Sequence, residues 1–363
     1  MDYIKRMNMI EMFQEPPEYR PPGTEQELAI SVDYPNLNSL QYRMTRKPSQ
    51  NVLHPFLDHI ACNCNGQTIV VGNDYTGRRW GSSFYGWENV EDVMVFPKAI
   101  FKRQCQYSIT ALKFTKDPNL FFIGNDKGSI ELWSIRNATR GEGYSLYQID
   151  ARSEHIEGVS ALDIFEEEEN KLVTGSNDGC IKVWNYGADL QSITTMTLAH
   201  TDEITGLSTN REEESVFVSS SLDRSSLVWD LRQPRPASAL FEGHKYAFTT
   251  VYWSTKKEAN RVVALGDAAG GVHFVDVRQP NVFLNSVQAF NKKIHKISFN
   301  GTMFAVLGDT NSVKIYDEML SLLQECKPTS NYIRDLIWDG SGSDKQVAVC
   351  MVGWDLFFKR LEM

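Results

Sequence analysis

One pattern of apolar and polar positions recurs along this chain: a turn residue such as Gly, two or three polar residues, then an alternating run ending on a large apolar, usually aromatic, residue. It reads GNDKGSIELW from Gly124 to Trp133, GSNDGCIKVW from Gly175 to Trp184 and SSLDRSSLVW from Ser220 to Trp229. GDAAGGVHFV from Gly266 to Val275 and GDTNSVKIY from Gly308 to Tyr316 follow the same plan, and weaker copies begin at Gly72 and Gly353. Apolar residues in these runs stand two apart, as in Ile130 and Leu132, Ile181 and Val183, Val272 and Phe274, or Val313 and Ile315. A period of two marks strands, because successive side chains of an extended chain point to opposite faces.

The seven starts are separated by 52, 51, 45, 46, 42 and 45 residues, close to the roughly 40 to 45 of a four-stranded propeller blade. Shorter apolar runs such as ITALKF, VSALDIF, FTTVYW and IRDLIW precede the signatures and supply the inner strands. The pattern therefore predicts an all-β fold, a seven-bladed β-propeller, with residues 28–363 as a single propeller. The last copy runs to Met363, so an N-terminal strand is predicted to complete its blade and close the ring, drawn from residues 37–47 or alternatively 28–33. Residues 1–27, with Pro16, Pro17, Pro21 and Pro22 among many Glu, read as an extended or disordered arm.

Composition narrows the function. A hydrophobic fraction of 42% with 14 Tyr, 19 Phe and 8 Trp suits a strand-rich globular protein. The net charge of −9 argues against a direct nucleic-acid grip, which needs an excess of Lys and Arg. No apolar run is long enough to span a membrane, and the start lacks a signal-peptide core; cytoplasm and nucleus are the expected compartments. Six cysteines without paired CxxC spacing read as reduced core thiols, and neither metal nor cofactor is expected.

Two blades carry a tempting constellation: His155, Thr174, Asp178 and Trp184, and again His200, Ser219, Asp223 and Trp229. From His to Asp is 23 residues both times, and each Asp precedes its Trp by 6. Hydroxyl, imidazole and carboxylate are also the parts of a hydrolase triad. A set repeated at the blade period reads instead as a hydrogen-bond fastening, so no catalytic residue is assigned. Elsewhere the set decays: His244 has no matching Asp, since Ala269 and Val275 take the Asp and Trp places.

These signatures resemble WD repeats. Several strings are similar to the WD-repeat subunit of the methylosome, the companion of the type II, symmetric protein arginine methyltransferase. They are TGRRWGSSF (Thr76 to Phe84), TGSNDGCIKVW (Thr174 to Trp184), SVFVSSSLDRSSLVWDLRQPRPAS (Ser215 to Ser238), YIRDLIW (Tyr332 to Trp338) and VGWD (Val352 to Asp355). The resemblance implies a non-catalytic scaffold in a hetero-oligomer, docked on the methyltransferase through a first-blade loop. Trp80 would then be the anchor, with Arg78, Arg79 and Phe84 beside it. The same spacing leaves a second reading open, since Trp80 follows Asp74 by 6, as a strand-end Trp would. Arg-rich substrate proteins, such as histones and spliceosomal Sm proteins, are the implied cargo.

Glu166, Glu167, Glu168 and Glu169, with Glu212, Glu213 and Glu214, follow the inner strands of neighbouring repeats. They are either a solvated rim or an acidic patch for basic tails. A rival function comes from WDLR (Trp229 to Arg232) and VDVR (Val275 to Arg278), which resemble the WDxR motif of substrate receptors in cullin-type ubiquitin ligases.

Overall fold

A strand with apolar residues at successive positions, such as Leu172 and Val173, has two faces to cover. In the computed structural model each sheet does so by packing between two others. The structure describes residues 53–76, 80–137, 143–166, 168, 170–233, 237–254, 261–339 and 347–363; the arm, both candidate closing strands, Arg78, Arg79, Glu167 and Glu169 lie outside them.

Seven antiparallel sheets follow one another along the chain. The first contains β1 (Phe56–Cys62), β2 (Thr68–Asp74), β3 (Gly81–Trp87) and β4 (Ala99–Cys105). The second contains β5 (Ile109–Phe114), β6 (Leu120–Asn125), β7 (Ser129–Asn137) and β8 (Tyr144–Ser153), and the third β9 (Val159–Ile164), β10 (Lys171–Ser176), β11 (Ile181–Asn185) and β12 (Gln191–Met196). The fourth has β13 (Ile204–Thr209), β14 (Val216–Ser221), β15 (Ser226–Asp230) and β16 (Ala237–Phe241); the fifth has β17 (Phe248–Trp253), β18 (Val262–Asp267), β19 (Gly271–Asp276) and β20 (Phe283–Gln288). The sixth has β21 (Ile294–Asn300), β22 (Met303–Gly308), β23 (Val313–Asp317) and β24 (Leu322–Cys326). The seventh has three strands among the described residues, β25 (Ile333–Asp339), β26 (Ala348–Gly353) and β27 (Phe357–Glu362).

The first strands of the sheets neighbour one another in a closed cycle that returns from β25 to β1, making a seven-bladed WD-repeat propeller around a central channel. Seven hydrophobic clusters fill the seven gaps between blades. Leu172 serves the cluster shared with the second blade, and Val173 the one shared with the fourth. That division is what the period of two encodes. Each inner strand also carries a β-bulge near its start, after its first paired residue in six blades, as between Ile109 and Ala111 or Ile204 and Gly206, and after the second, Leu57, in β1. Repeated at this place, the bulge adds local twist in every blade.

The signature glycines have two separate causes. A Cβ on Gly124 or Gly175 would fall 2.8 Å or 2.6 Å from the side chain of Val159 or Ile204, the first residue of the next inner strand. On Gly72 and Gly353 it would strike the backbone carbonyl of His54 or Tyr332, in the segment entering the same blade, at 2.1 Å and 2.3 Å. The pairing confirms the distinction. Gly72, Gly308 and Gly353 lie opposite the residue before the bulge, whereas Gly124, Gly175 and Gly266 lie opposite the residue after it. The repeat in the first, sixth and seventh blades is thus shifted by one position from the alignment of starts read off the sequence.

Closure between seventh and first blades is strongly polar. The buried Asp335 on β25 accepts the Ile60 backbone N–H of β1 at 2.9 Å and its own neighbour's N–H, and pairs with Lys296 of β21. Pro55 accepts the Leu356 N–H at 3.0 Å, and Leu53 is buried among Cys350 and Val352. Asp335→Ala is expected to lower stability by about 1–3 kcal/mol, because it strands a buried backbone donor at the seam. Asp335→Asn, which retains an acceptor oxygen, should lose less; equal urea midpoints for Asp335→Ala and wild type would show that the bond holds nothing.

Candidate functional site

In the fourth blade the fastening is complete. His200, in the segment entering β13, places Nδ1 2.9 Å from Asp223 Oδ2 and Nε2 2.7 Å from Ser219 Oγ, and the Trp229 indole N–H donates to the same hydroxyl at 2.8 Å. The third blade repeats it: His155 Nε2 meets Thr174 Oγ1 at 2.8 Å and the Trp184 indole donates at 2.8 Å. There, however, Asp178 Oδ2 stands 3.5 Å from His155 Nδ1, which has no hydrogen bond, and Asp178 instead takes the Ile156 N–H at 2.8 Å. Thr174 and Ser219 are fully buried beneath indole and imidazole, so neither hydroxyl is available as a nucleophile.

Burial alone would raise the Asp223 carboxyl, yet hydrogen bonds from His200, Ser225 and the Thr201 backbone hold it far below the usual carboxylate range. Burial lowers the His155 imidazole, against the opposing pull of Asp178.

Trp80 is not the strand-end Trp of its blade. That place, facing the preceding blade beside Thr68, belongs to the buried Trp87, as Trp184 stands beside Leu172. From Val71 to Trp87 is 16 residues, whereas from its counterpart Gly175 to Trp184 is 9, so the β2–β3 hairpin carries seven extra residues. Trp80 stands in that longer connection, 52% exposed. Its ring meets Tyr75 edge-on at 5.6 Å, and the Tyr75 hydroxyl donates to the buried Asp58 at 2.6 Å. The same carboxylate accepts from the Asn73 amide at 2.8 Å and the Trp354 indole at 3.2 Å, and pairs with Arg334. Phe56 joins Tyr75 to Trp354, at 5.6 and 5.1 Å, so an aromatic row crosses from the first blade to the seventh with Trp80 at its end. The aromatic end of SSFYGW was the signal that could have identified Trp87 in the sequence.

Phe84 does not join this surface. It is fully buried between the first two blades, against Phe101, Phe121 and Trp133, because alternation along β3 turns it toward the core.

The described glutamates, Glu166, Glu168, Glu212, Glu213 and Glu214, do emerge on one side, since the β9–β10 and β13–β14 connections lie at the same end of adjacent sheets and opposite the end bearing Trp80. Among the described residues, basic side chains stand beside them. Glu166 pairs with Arg211 at 2.9 Å, Glu168 with Lys171 and the Ser215 hydroxyl, and Glu213 with Arg232 at 3.8 Å, with Glu214 also facing Arg232. Arg211, Lys171 and Arg232 offset part of the field that the described carboxylates alone would create.

In the WDxR-like segments, Arg232 forks onto Asp230 at 2.8 and 3.0 Å, and Arg278 onto Asp276 with its Nε at 2.9 Å. Arg278 holds the Asp276 carboxyl down to about 2. Both guanidinium groups are bound by their own loops. The reading of the cysteines as core thiols needs correction: only Cys350 is buried, Cys62, Cys105, Cys180 and Cys326 are half-buried, Cys64 is exposed, and all six thiols are free. No described helix is long and apolar enough to cross a membrane.

Comparison with known proteins agrees with the fold. The model of the WD domain, G-beta repeat, matches residues 147–185. Protein valois of Drosophila melanogaster is 26% identical over 341 residues, covering 90% of this chain and 92% of that protein. Methylosome protein WDR77 of Xenopus laevis is 23% identical over 294 residues, covering 80% and 84%. A chain in the crystal structure of the mitotic checkpoint complex aligns with a TM-score of 0.67 at 15% identity, over 86% of this chain and 91% of that one, a likeness of fold alone.

The two fastenings differ in one measurable respect. Asp223→Ala should cost about 2–3 kcal/mol and Asp178→Ala about 1 kcal/mol, because only the first removes a direct carboxylate–imidazole bond; a reversed order in chemical denaturation would contradict the geometry. Since the folded pKa of His155 lies below its unfolded value, its contribution to stability is fully present above about pH 6.5 and is lost as pH falls toward the folded pKa. Asp178 and Asp223, also depressed, hold theirs until pH falls below about 4. Loss of stability below pH 6.5 should therefore be shallower in His155→Gln than in wild type.

Proposed function

We propose that this chain is a non-catalytic adaptor that docks on a type II, symmetric protein arginine methyltransferase through the Trp80 loop and presents Arg-rich substrate proteins to it, histones and spliceosomal Sm proteins among them. The observation that carries the reading is the position of Trp80: half exposed, in an extended hairpin connection, and propped by Tyr75 on the buried Asp58. An indole held outward on a rigid support loses little conformational freedom on binding, and Trp and Arg are the residue types that dominate interface energies. Similarity to a methylosome protein over 80% of the chain supports the same partner.

Docking through this end of the sheets leaves the opposite end, with its mixed-charge rim around Glu166, Arg211 and Glu213, free for substrates. The net charge of −9 favours basic ones. Work in both cytoplasm and nucleus belongs to this proposal. The ubiquitin-ligase reading is weaker, because Arg232 and Arg278 are already bidentate to Asp230 and Asp276.

Trp80→Ala is expected to weaken binding to the purified methyltransferase by at least about 2 kcal/mol, a factor near 30, while leaving the melting temperature close to wild type. Trp87→Ala, in contrast, should destabilise the fold by about 3–5 kcal/mol through the cavity it opens. Undiminished affinity of Trp80→Ala, measured by surface plasmon resonance, would remove Trp80 as the anchor.

A further inference from the structure

The fifth blade lacks the hydroxyl and indole of the fastening, since Leu265 and Val275 occupy their places. It has something else. His244 enters ahead of β17, where His155 and His200 stand in their blades, and its Nε2 lies 3.2 Å from Oδ2 of Asp267 at the end of β18. His273 of β19 brings its own Nε2 to 3.0 Å from the same oxygen. The interval from His244 to Asp267 is again 23 residues, but Asp267 occupies the position of Ser176, two residues ahead of the signature Asp place. That displacement hid the pair from the repeat alignment.

Among the described residues this is the one group of three or more such side chains whose donor atoms all lie within 4.8 Å of one another. We propose that His244, Asp267 and His273 form a zinc(II) site that ties the fifth blade together where the hydroxyl–indole fastening is missing.

Several features mark a built site. Donor separations of 3.0 and 3.2 Å approach the edge of about 3.3 Å expected when a tetrahedral zinc holds ligands near 2.0 Å. The other carboxylate oxygen, Oδ1, accepts the backbone N–H groups of Ala269 and Gly271 at 2.9 and 2.8 Å, which fixes Oδ2 in direction. Each imidazole is held by a stacked ring, His244 on Phe248 at 5.0 Å and His273 on Phe283 at 4.3 Å. His273 Nδ1 meets Ser286 Oγ at 2.8 Å, the outer partner that metal-bound histidines use to present Nε2 as a lone pair.

Gly271 supplies the independent observation. A Cβ built there would fall 2.7 Å from His273 Nε2 and 3.0 Å from Asp267 Oδ2, so glycine keeps clear the space between the donor atoms. Its φ is not in the left-handed region, so conformation does not demand glycine at this position. Two imidazoles and one carboxylate suit zinc among the common divalent ions, with a fourth position left for water, which reaches the site past histidine side chains 13% exposed.

The test uses the full chain stripped with chelator and titrated calorimetrically with zinc(II), with cobalt(II) as an optical probe. Wild type is expected to take up one equivalent, show tetrahedral cobalt bands, and gain melting temperature with zinc. His244→Ala and His273→Ala should lose the uptake, and Ser286→Ala should bind at least about tenfold more weakly. Gly271→Ala keeps every ligand and every backbone bond but should also bind at least tenfold more weakly, which separates loss of the site from loss of the fold. The proposal is overturned if wild type takes up no zinc, if both histidine variants retain it, or if uptake follows Cys62→Ser and Cys64→Ser instead.

Discussion

A β-sheet whose strands are apolar on both faces cannot stand alone in water, and each sheet here meets that requirement only through its two neighbours. Every one of the seven hydrophobic clusters is shared between adjacent blades. An open array would therefore leave two apolar faces bare, so the ring has to close for any blade to be fully covered. The seam between last and first blades bears that constraint most directly, and polar ties accumulate there: Asp335 on the Ile60 N–H, Asp58 with Arg334 and Trp354, and Pro55 on the Leu356 N–H.

Within that frame the blades solve one local problem in different ways. The large side chain closing the third strand must bury its body and satisfy its N–H. Trp184 and Trp229 use a hydroxyl bridged to histidine. Trp133 uses Glu131 at 2.9 Å, and Trp87 the Val95 carbonyl at 3.2 Å. Val275 has no N–H to satisfy, and in that blade the histidine turns to Asp267 and a second histidine. Repeats can diverge in this manner because the period of two and the inter-blade packing specify the fold, while the fastenings add stability locally.

Loops carry the individuality. The same antiparallel order sends the second hairpin of each blade to one end of the ring and the first hairpin to the other, so the Trp80 connection and the glutamate-bearing connections are separated by the thickness of the sheets. One end presents aromatic rings on a hydrogen-bonded support, and the other a rim of mixed charge. Such a division suits an adaptor that holds one partner while leaving a second surface open.

Spacing and alternation by themselves determined the seven blades, the strand order and the partners of Thr174 and Ser219, because these depend on local periodicity and on a repeat that matches copy to copy. Composition set the net charge. What the sequence could not decide was register. Gly72, Gly308 and Gly353 match Gly124 as letters, yet they lie one place later, since a glycine is required both where the next blade presses and where the entering segment crosses. Trp87 rather than Trp80 takes the strand-end place for the same reason: seven extra residues in one hairpin cannot be placed until the strands are paired. Phe84 went to the core by alternation from that corrected register, Arg211 was brought to Glu166 by the neighbouring loop, and His273 reached Asp267 only through the β18–β19 pairing. Contacts of this kind join residues whose separation in the chain carries no signal, and packing alone decides them.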